Sequence, residues 1–396
     1  MLEIRPMRPE DRDELRRLWT DVYVIRPLEQ VDEYLREVIY PHVRLAVVDG
    51  VLAAVLMVEP FRIFWGHDEV AMGGIGRVAT HAEHRRRGLV AALLKHAIEE
   101  MREREMPVSI LYPFSYPFYR KYGWELAGLR RRSTVPMENL QPLMSTPGHA
   151  RRLNPDNWEV MDRLYRWVGH QYFGPVLRDE ERWKRRLQGV GKREHYAYAW
   201  YPEGSGEARA YVVYSFRSAP GESFTRSMFV HELVAVDGAA MRGILGFLGR
   251  HDAQARDVKL DMPFHWEPGL YIPDPSFPQE LKPGFMVRVV DVEKALTRPT
   301  LRAQVTGKLV LRVQDELAPW NHGCFRLETG GDGLLATRTS SEHQVAMDIR
   351  TLAQVCSGFV TARQGAAAGL MEGAPKELAW LDAVFGQVRP HINDHF

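Results

Sequence analysis

Three consecutive arginines and a glycine, Arg85, Arg86, Arg87 and Gly88, stand directly before a long apolar segment. The first N–H groups of a helix have no partner inside the helix, and they lie at the positive end of its dipole. Glycine has no Cβ, so an anion can approach the main chain closely, and guanidinium groups add charge-assisted hydrogen bonds. The pattern therefore predicts a phosphate-binding site at the start of a helix.

The flanking segments predict the elements that would position this loop. "VAMGGIGRVAT" before it is rich in β-forming residues, and "GLVAALLKHAIEEMRER" after it carries one apolar stripe at helical spacing. Neither the P-loop pattern nor the dinucleotide-binding glycine pattern occurs here. The alternative is a solvated surface loop, which gives no reason for the position between a buried strand and an apolar helix.

Aromatic residues follow the next predicted strand, "VSILYPF", in the segment "YPFYRKYGW". Among them Tyr119 is a candidate proton donor, because a phenol titrates near pH 10 and is protonated at neutral pH. We expect the neighbouring Arg120 and Lys121 to lower that pKa. Spacing alone favours the plainer interpretation, in which Tyr119 is one aromatic of a packed core.

Several other kinds of site find little support. The sequence has no serine nucleophile elbow, no H-E-x-x-H and no C-x-x-C, and its cysteines, Cys324 and Cys356, predict no disulfide framework. His81 and His84 have no third candidate ligand nearby, so we expect loop residues rather than a metal site.

The chain has 52 basic and 51 acidic residues, and this balance argues against a nucleic-acid binder. With no apolar stretch of membrane length and a charged N-terminus, we expect a cytoplasmic protein.

A chain of 396 residues predicts two or three domains. Residues 1–140 give the order β-α-β-β-β-α-β-α-β, a mixed α/β domain, and a Pro-, Ser- and Gly-rich boundary follows. Residues 150–285 repeat the strand, turn and helix, with Asp237 and Gly238 in place of the arginine loop, which indicates a diverged duplication. Residues 286–396 alternate like antiparallel strands before two helices, a small α+β domain.

The loop Arg85–Val90 resembles the Gln/Arg-x-x-Gly-x-Gly/Ala signature with which GNAT acetyltransferases bind the acetyl-CoA pyrophosphate. Val90 departs from the small residue usual at the last position. The whole chain resembles the enhanced intracellular survival (Eis) family, which has a GNAT domain, a second GNAT-like domain and a sterol-carrier-like domain. The loop "HRRRGL", the segment "FYRKYGW" and the terminal Phe396 carry this resemblance.

The resemblance implies an α/β fold and an N-acetyltransferase that uses acetyl-CoA and no metal. The acceptor would be a primary amine of the aminoglycoside, lysine or polyamine type. Tyr119 would be the general acid, with Tyr122 as the alternative. The α-carboxylate of Phe396 would be the general base, acting through water, although a simple docked terminus is the other interpretation. The residues implied in cofactor binding are Val78, Ala79, Thr80, Arg85, Arg86, Arg87, Gly88, Leu89, Val90, Ala91, Phe114 and Ser115.

A cationic acceptor favours a binding cleft with acidic residues in its walls, and the family places this cleft near the first helix. The candidate acids there are Asp21, Glu29, Asp32 and Glu33, with Asp394 in the tail, although most charges of this kind are solvated surface groups. The family also implies a homo-oligomer, with a hexamer as its tendency. Two alternatives to an active enzyme stay open: a lipid- or small-ligand-binding carrier with a vestigial acetyltransferase domain, and a protein that senses CoA without turnover.

Overall fold

The structure is a computed structural model that describes residues 1–24, 31–32, 35–36, 39–192, 195–218, 226–301, 305–331 and 333–396. It divides into two compact units. The first comprises Met1–Ala127, Phe285–Arg389 and Asp394–Phe396, and the second comprises Gly128–Gly284 and Pro390–Asn393. No helix in the described part of the chain has the length and apolarity to cross a membrane. The boundaries 1–140, 150–285 and 286–396 stay predictions.

The first 127 residues follow the order predicted from the sequence. The elements are β1 (Leu2–Pro6), α1 (Arg12–Tyr23), β2 (Val43–Val48), β3 (Val51–Trp65), β4 (Asp68–Thr80), α2 (Leu89–Glu103), β5 (Val108–Leu111), α3 (Tyr116–Arg120) and β6 (Glu125–Leu126). Strands β2 and β3 form an antiparallel hairpin, as the Asp-Gly sequence between them predicts. Its turn residues Asp49 and Gly50 have φ values of 51° and 85°, the left-handed conformation that a tight two-residue turn requires.

The second unit contains one mixed sheet with helices. Its elements are β7 (Leu129–Pro136), α4 (Met137–Leu140), β8 (Gly148–Arg152), α5 (Trp158–Gly169), β9 (Tyr172–Val176), α6 (Glu180–Lys192), β10 (His195–Pro202), β11 (Ala210–Ser218), β12 (Arg226–Ala235), α7 (Gly238–Gly249), β13 (Asp257–Pro263) and β14 (Gln279–Pro283). The strands lie in the order β14-β7-β13-β12-β11-β10-β8. The predicted repeat of strand, turn and helix is confirmed as β12 and α7.

The remaining residues form a smaller sheet, of order β18-β17-β16-β19-β20, with helices beside it. The elements are β15 (Met286–Val289), α8 (Val292–Leu296), β16 (Gly307–Gln314), β17 (Gly323–Gly330), β18 (Gly333–Thr339), β19 (Val345–Asp348), α9 (Ile349–Cys356), α10 (Ala362–Ala367), β20 (Met371–Gly373), α11 (Pro375–Phe385) and β21 (Arg389–Pro390). Both cysteines are free thiols.

One strand differs from the prediction. The sequence places residues 286–289 at the start of the third domain, but β15 lies in the first sheet, whose order is β1-β2-β3-β4-β5-β15-β6. It pairs antiparallel with both β5 and β6, and each of its four residues is buried. Local alternation cannot reveal this placement, because pairing partners more than 150 residues away decide it.

Helix α2 carries the core of the first sheet. Its stripe of Leu93, Leu94, Ala97, Ile98 and Met101 is buried in one cluster with side chains from β3, β4 and β5. An amphipathic face of this width is stable when a sheet covers it, since most helical stability in proteins comes from tertiary packing. The packing fixes the position of the N-terminal end of α2 relative to the ends of β4 and β5.

A buried ion pair connects the hairpin of β3 and β4 to the segment after α8 within the same unit. The Arg298 Nε atom donates to Asp68 Oδ2 at 3.0 Å, and its Nη2 atom donates to the Trp65 carbonyl. Both charged side chains are 6% exposed. Burial lowers the pKa of Arg298, and the Asp68 carboxylate opposes this effect. Removing either partner would leave a buried charge unpaired.

We expect the Asp68→Ala variant to lose about 3–5 kcal/mol of stability, because it leaves the Arg298 cation buried without its carboxylate. The measurement is the denaturant midpoint of the full chain at neutral pH. Glu69→Ala is the matched control, since its ion pair with Arg62 is solvent-exposed and contributes about 0–1 kcal/mol. Equal losses in the two variants would contradict a stabilising role for the buried pair.

Candidate active site

A cavity of about 600 Å³ opens where β4 and β5 separate. The two strands pair in parallel from Met72–Val108 to Ile75–Leu111, and the ladder ends there. Beyond Ile75, β4 continues to Thr80 against β3, and its residues 76–80 line the cavity. Separated parallel strands open a crevice at their carboxyl ends, which is where open α/β sheets bind ligands.

The cavity wall on β4 contains a β-bulge. Gly76 lies opposite Met57 and Ala79 lies opposite Val55, so two residues of β4 face a single residue of β3. Arg77 in the bulge has a φ of 52°, and its guanidinium lies 5.4 Å from the centre of the Trp19 ring. The Tyr23 hydroxyl donates to the Val78 carbonyl at 2.9 Å. Helix α1 therefore supports the main chain at the point where the strands separate.

The N-terminal end of α2 lies at the same cavity. Gly88 is the N-cap with a φ of 77°, and Arg86 has a φ of 61°, so the loop carries two left-handed residues within three positions. In the part of the chain that the structure describes, no side chain caps the helix at Gly88. The amide groups at the start of α2 are therefore open to an external acceptor. Successive N–H groups in such a turn form a concave anion-binding nest.

The arginine side chains do not all contribute to this cavity. Arg85 and Arg86 line it, together with His84, whereas Arg87 lies outside the lining. The Arg87 Nη1 atom lies 3.4 Å from His84 Nδ1, and Arg85 Nε donates to the Thr80 carbonyl at 3.4 Å. All three arginines are exposed. Arg85 and Arg86 therefore place exposed positive charge at the cavity.

Tyr119 lies in the cavity wall and is 2% exposed. Its ring contacts Phe114 and Phe118 edge-on, with both centroids 5.2 Å away. Burial raises the pKa of the Tyr119 hydroxyl well above its usual value, and the nearby Tyr23 hydroxyl adds to the effect. The expected lowering by Arg120 and Lys121 is therefore wrong. Arg120 is held by the Glu125 carboxylate at 2.8 Å, so its charge is balanced there.

Phe396 also lines the cavity. Its ring lies 4.8 Å from that of Phe61 and 5.8 Å from that of Tyr112. The Tyr112 hydroxyl donates to the Asp394 carbonyl at 2.7 Å, which anchors the chain two residues before the terminus. A Cβ atom on Gly76 would lie 2.9 Å from the Phe396 carbonyl carbon, so the main chain of Phe396 rests directly on this glycine.

Most of the predicted site residues meet in this one cavity. Those that line it are Val78, Ala79, Thr80, Arg85, Arg86, Gly88, Leu89, Val90, Ala91, Phe114, Tyr119 and Phe396, together with the alternative acid Tyr122. Arg87 and Ser115 lie outside the lining. Sequence reasoning missed Tyr23, Arg77 and Tyr112, which also line it. The sequence offers a signal for Tyr112, because this residue directly follows the predicted strand β5. The contact of Tyr23 with Val78 joins residues 55 positions apart, and no local sequence pattern predicts it.

The acidic residues predicted to form the walls of an acceptor cleft are not found in the cavity lining that the structure describes. Asp21 and Asp32 lie outside the cavity lining, and Asp32 is paired with Arg16 at 2.7 Å. Glu29 and Glu33 lie outside the described residues. Among the lining residues that the structure describes, no Asp or Glu side chain is present. Within the described ranges no group of three His, Cys, Asp or Glu is arranged to hold a metal ion.

Three family models match separate parts of the chain. Two are described as acetyltransferase (GNAT) domains and match residues 3–127 and 174–289. The third is described as a sterol carrier protein domain and matches residues 292–393. The predicted duplication of a GNAT domain is therefore confirmed, and so is the predicted sterol-carrier-like domain.

Known proteins agree with this assignment. An uncharacterized N-acetyltransferase of Streptomyces avermitilis is 28% identical over 328 residues, 77% of this chain and 75% of the relative. One of Streptomyces griseus is 24% identical over 76% of this chain and 75% of its own length. Among solved structures, a GCN5-related N-acetyltransferase from Anabaena variabilis has a TM-score of 0.90 at 22% identity, covering all of both chains.

Eis1 from Mycobacterium abscessus has a TM-score of 0.81 at 21% identity and also covers both chains fully, a likeness that concerns the fold. The domain composition and the fold predicted from the Eis resemblance are thus both found. GNAT domains use acetyl-CoA as the acyl donor. The chain is an N-acetyltransferase with two acetyltransferase (GNAT) domains followed by a sterol carrier protein domain.

Proposed function

We propose that the chain transfers an acetyl group from acetyl-CoA to a primary amine of the aminoglycoside, lysine or polyamine type. One observation carries this proposal. A single cavity is lined by an uncapped helix start with two arginines, by a buried tyrosine and by the terminal carboxylate. These are the groups that acyl transfer to an amine needs: an anion site for the donor, a proton donor and a proton acceptor.

The cofactor would bind along the open edge of β4. The diphosphate accepts hydrogen bonds from the amides of Gly88 to Ala91, with Arg85 and Arg86 adding positive charge from the cavity mouth. Beyond Ile75 the edge of β4 that faced β5 is open, so the pantetheine amides can pair with the main chain of residues 78–80 as an added strand would. Phe114, 69% exposed at this cavity, covers the arm from the opposite side.

The reaction needs proton transfers at the acceptor nitrogen and at the leaving sulfur. The acceptor ammonium first loses one proton to the Phe396 carboxylate through a bridging water, since a carboxylate alone is a weak base at neutral pH. The neutral amine nitrogen then attacks the thioester carbonyl carbon, the new C–N bond forms, and the C–S bond breaks. The departing thiolate takes the proton of the Tyr119 hydroxyl, which burial keeps protonated. The nitrogen loses its second proton as the amide forms, and this proton restores the Tyr119 hydroxyl. The same carboxylate attracts the incoming ammonium.

The alternatives remain a lipid- or small-ligand-binding carrier and a CoA sensor without turnover. The uncapped helix start at Gly88 favours a domain that still binds CoA. Cytoplasmic location and the homo-oligomeric state stay predictions.

The deciding experiment is thiol release from acetyl-CoA with a panel of aminoglycosides, polyamines and a lysine peptide. The proposal expects amine-dependent release. Acetyl-CoA binding without release would instead support the sensor, and no binding would support the carrier.

We expect an extension of the chain by one alanine after Phe396 to lower kcat about 10²–10⁴-fold, the usual contribution of a general base. The added residue moves the terminal carboxylate by roughly 3.5 Å. The Phe396 carbonyl carbon lies against Gly76 and would become part of a peptide bond, so the water-mediated proton path is lost. The KM for acetyl-CoA should stay unchanged, which steady-state kinetics measures.

Phe396→Leu is the matched control for the extension, because it removes the ring and keeps the terminal carboxylate in place. We expect it to retain most of the activity. Wild-type kcat in the extended chain would remove the carboxylate from the mechanism. A loss in Phe396→Leu as large as that in the extended chain would assign the effect to the ring packing instead.

We expect Tyr119→Phe to lower kcat about 10²–10⁴-fold with little change in the KM for acetyl-CoA, because the ring packing persists while the proton donor is lost. Since burial raises the pKa of Tyr119 above 10, wild-type kcat should show no fall from tyrosine ionisation up to about pH 10. Tyr122→Phe is measured beside it. If Tyr122→Phe loses kcat and Tyr119→Phe does not, the acid is Tyr122.

A further inference from the structure

The second compact unit contains a cavity of its own, of about 200 Å³. Its strands repeat the geometry of the first cavity. β12 and β13 pair in parallel from Ser227–Asp257 to Val230–Leu260, the ladder ends, and the following residues of both strands line the cavity. The four-residue parallel ladder matches that of β4 and β5. The duplicated domain has thus kept the crevice at the carboxyl ends of its strands.

This second cavity is unsuited to binding phosphate. Where α2 begins with an uncapped glycine, α7 begins with Asp237, whose Oδ1 atom accepts from the Ala240 amide at 2.8 Å. Its Oδ2 atom accepts from Arg209 at 2.7 Å. The carboxylate therefore occupies the place where an anion would lie in the first domain. A phosphate here would be repelled by the negative charge of Asp237, and the Ala240 amide at the start of α7 already has an acceptor.

The charged side chains that line the cavity are negative. Among the described lining residues these are Glu232, Asp237 and Asp261, with no lysine or arginine. Glu232 accepts hydrogen bonds from Arg178, Arg186 and Asn393, and it has no capacity left for a ligand.

The two aspartates differ from Glu232 in this respect. Asp261 accepts two hydrogen bonds, both from Arg132, at 2.6 and 2.7 Å. A carboxylate offers about four acceptor positions, so Asp237 and Asp261 can each take a further donor. The arginines that balance these two aspartates lie outside the lining. The cavity therefore presents carboxylate oxygens, and not guanidinium groups, to whatever enters it.

Aromatic rings complete the wall. Trp266 and Tyr271 stack with centroids 5.9 Å apart and an interplanar angle of 5°. Burial raises the pKa of Tyr172 to about 12, so its ring is a neutral phenol at physiological pH. Trp266 is 7% exposed, and no hydrogen-bond partner for its indole N–H is found in the described part of the chain. A buried donor without a partner is costly, so this N–H calls for an acceptor from a ligand or water.

We propose that this cavity binds a small organic ammonium that carries a hydroxyl beside the cation. Asp237 and Asp261, each paired with one arginine, contact the cation with their remaining carboxylate acceptor positions, and the aromatic faces supply cation–π attraction. The hydroxyl oxygen accepts the Trp266 N–H that is otherwise unpartnered. The volume corresponds to roughly seven molecules of liquid water, enough for an amino alcohol and too small for a nucleotide. The crevices of the two GNAT domains would thus bind ligands of opposite charge, an anion in the first domain and a cation in the second.

The test uses the full chain and choline as the probe, measured by isothermal titration calorimetry. Choline has a quaternary nitrogen with no proton to lose, so it is not an amine acceptor for acetyl transfer. The control ligand is 3,3-dimethylbutan-1-ol, which has the shape of choline without its charge. We expect choline to bind at least about tenfold more tightly than the neutral isostere, and to do so equally with and without saturating coenzyme A.

Three variants locate the binding. Asp237→Asn removes the charge and keeps a good N-cap, and Trp266→Leu removes both the ring face and the N–H. Each should weaken choline binding about tenfold. Glu203→Gln removes an exposed charge elsewhere in the same unit and should change nothing.

Three results would each overturn the proposal. These are the absence of choline binding, equal binding of the neutral isostere, and binding that neither cavity variant weakens. The comparison of the two ligands on the unaltered chain decides the question even if a variant fails to fold.

Discussion

The proposed binding of acetyl-CoA depends on the unsatisfied amide groups at the start of α2. A helix always leaves its first N–H groups without an internal partner, and most helices satisfy them with a capping side chain. Here the N-cap is Gly88 in a left-handed conformation, which exposes the amides and leaves no Cβ over them. The buried stripe of α2 on the sheet fixes that end beside the gap between β4 and β5. The position of the proposed donor site is therefore a consequence of how the core packs.

The two GNAT domains share a sheet geometry and differ at the start of the helix that follows it. Both domains keep the short parallel ladder and the crevice beyond it. In the second domain Asp237 accepts from the Ala240 amide, whereas Gly88 of the first domain offers no capping side chain. The second domain also has no counterpart of the three arginines. Under the two proposals, these differences set the charge of the ligand that each crevice binds.

The C-terminal region belongs to the same compact unit as the first GNAT domain. β15 completes the first sheet, and buried Arg288 and Arg298 pair with Asp315 and Asp68. These contacts hold the region that ends in Phe396, and Tyr112 holds the tail itself. The proposed role of the Phe396 carboxylate as a base requires a fixed position, and these contacts provide it.

Much of the first domain was predictable because its signals are local. The Asp49–Gly50 turn, the stripe on α2 and the arginine loop each depend on residues close in sequence. The position of β15, the contact of Tyr23 with Val78 and the pairing of Arg120 with Glu125 depend on the folded chain. The raised pKa of Tyr119 was missed for the same reason, since burial cannot be read from neighbouring charges.

The most direct test of the central claim is a crystal structure of the full chain with coenzyme A. The account predicts diphosphate oxygens at about 3 Å from the amide nitrogens at the start of α2, with Arg85 or Arg86 alongside. A cofactor bound elsewhere, or a helix start occupied by the chain's own side chains in the complex, would contradict it.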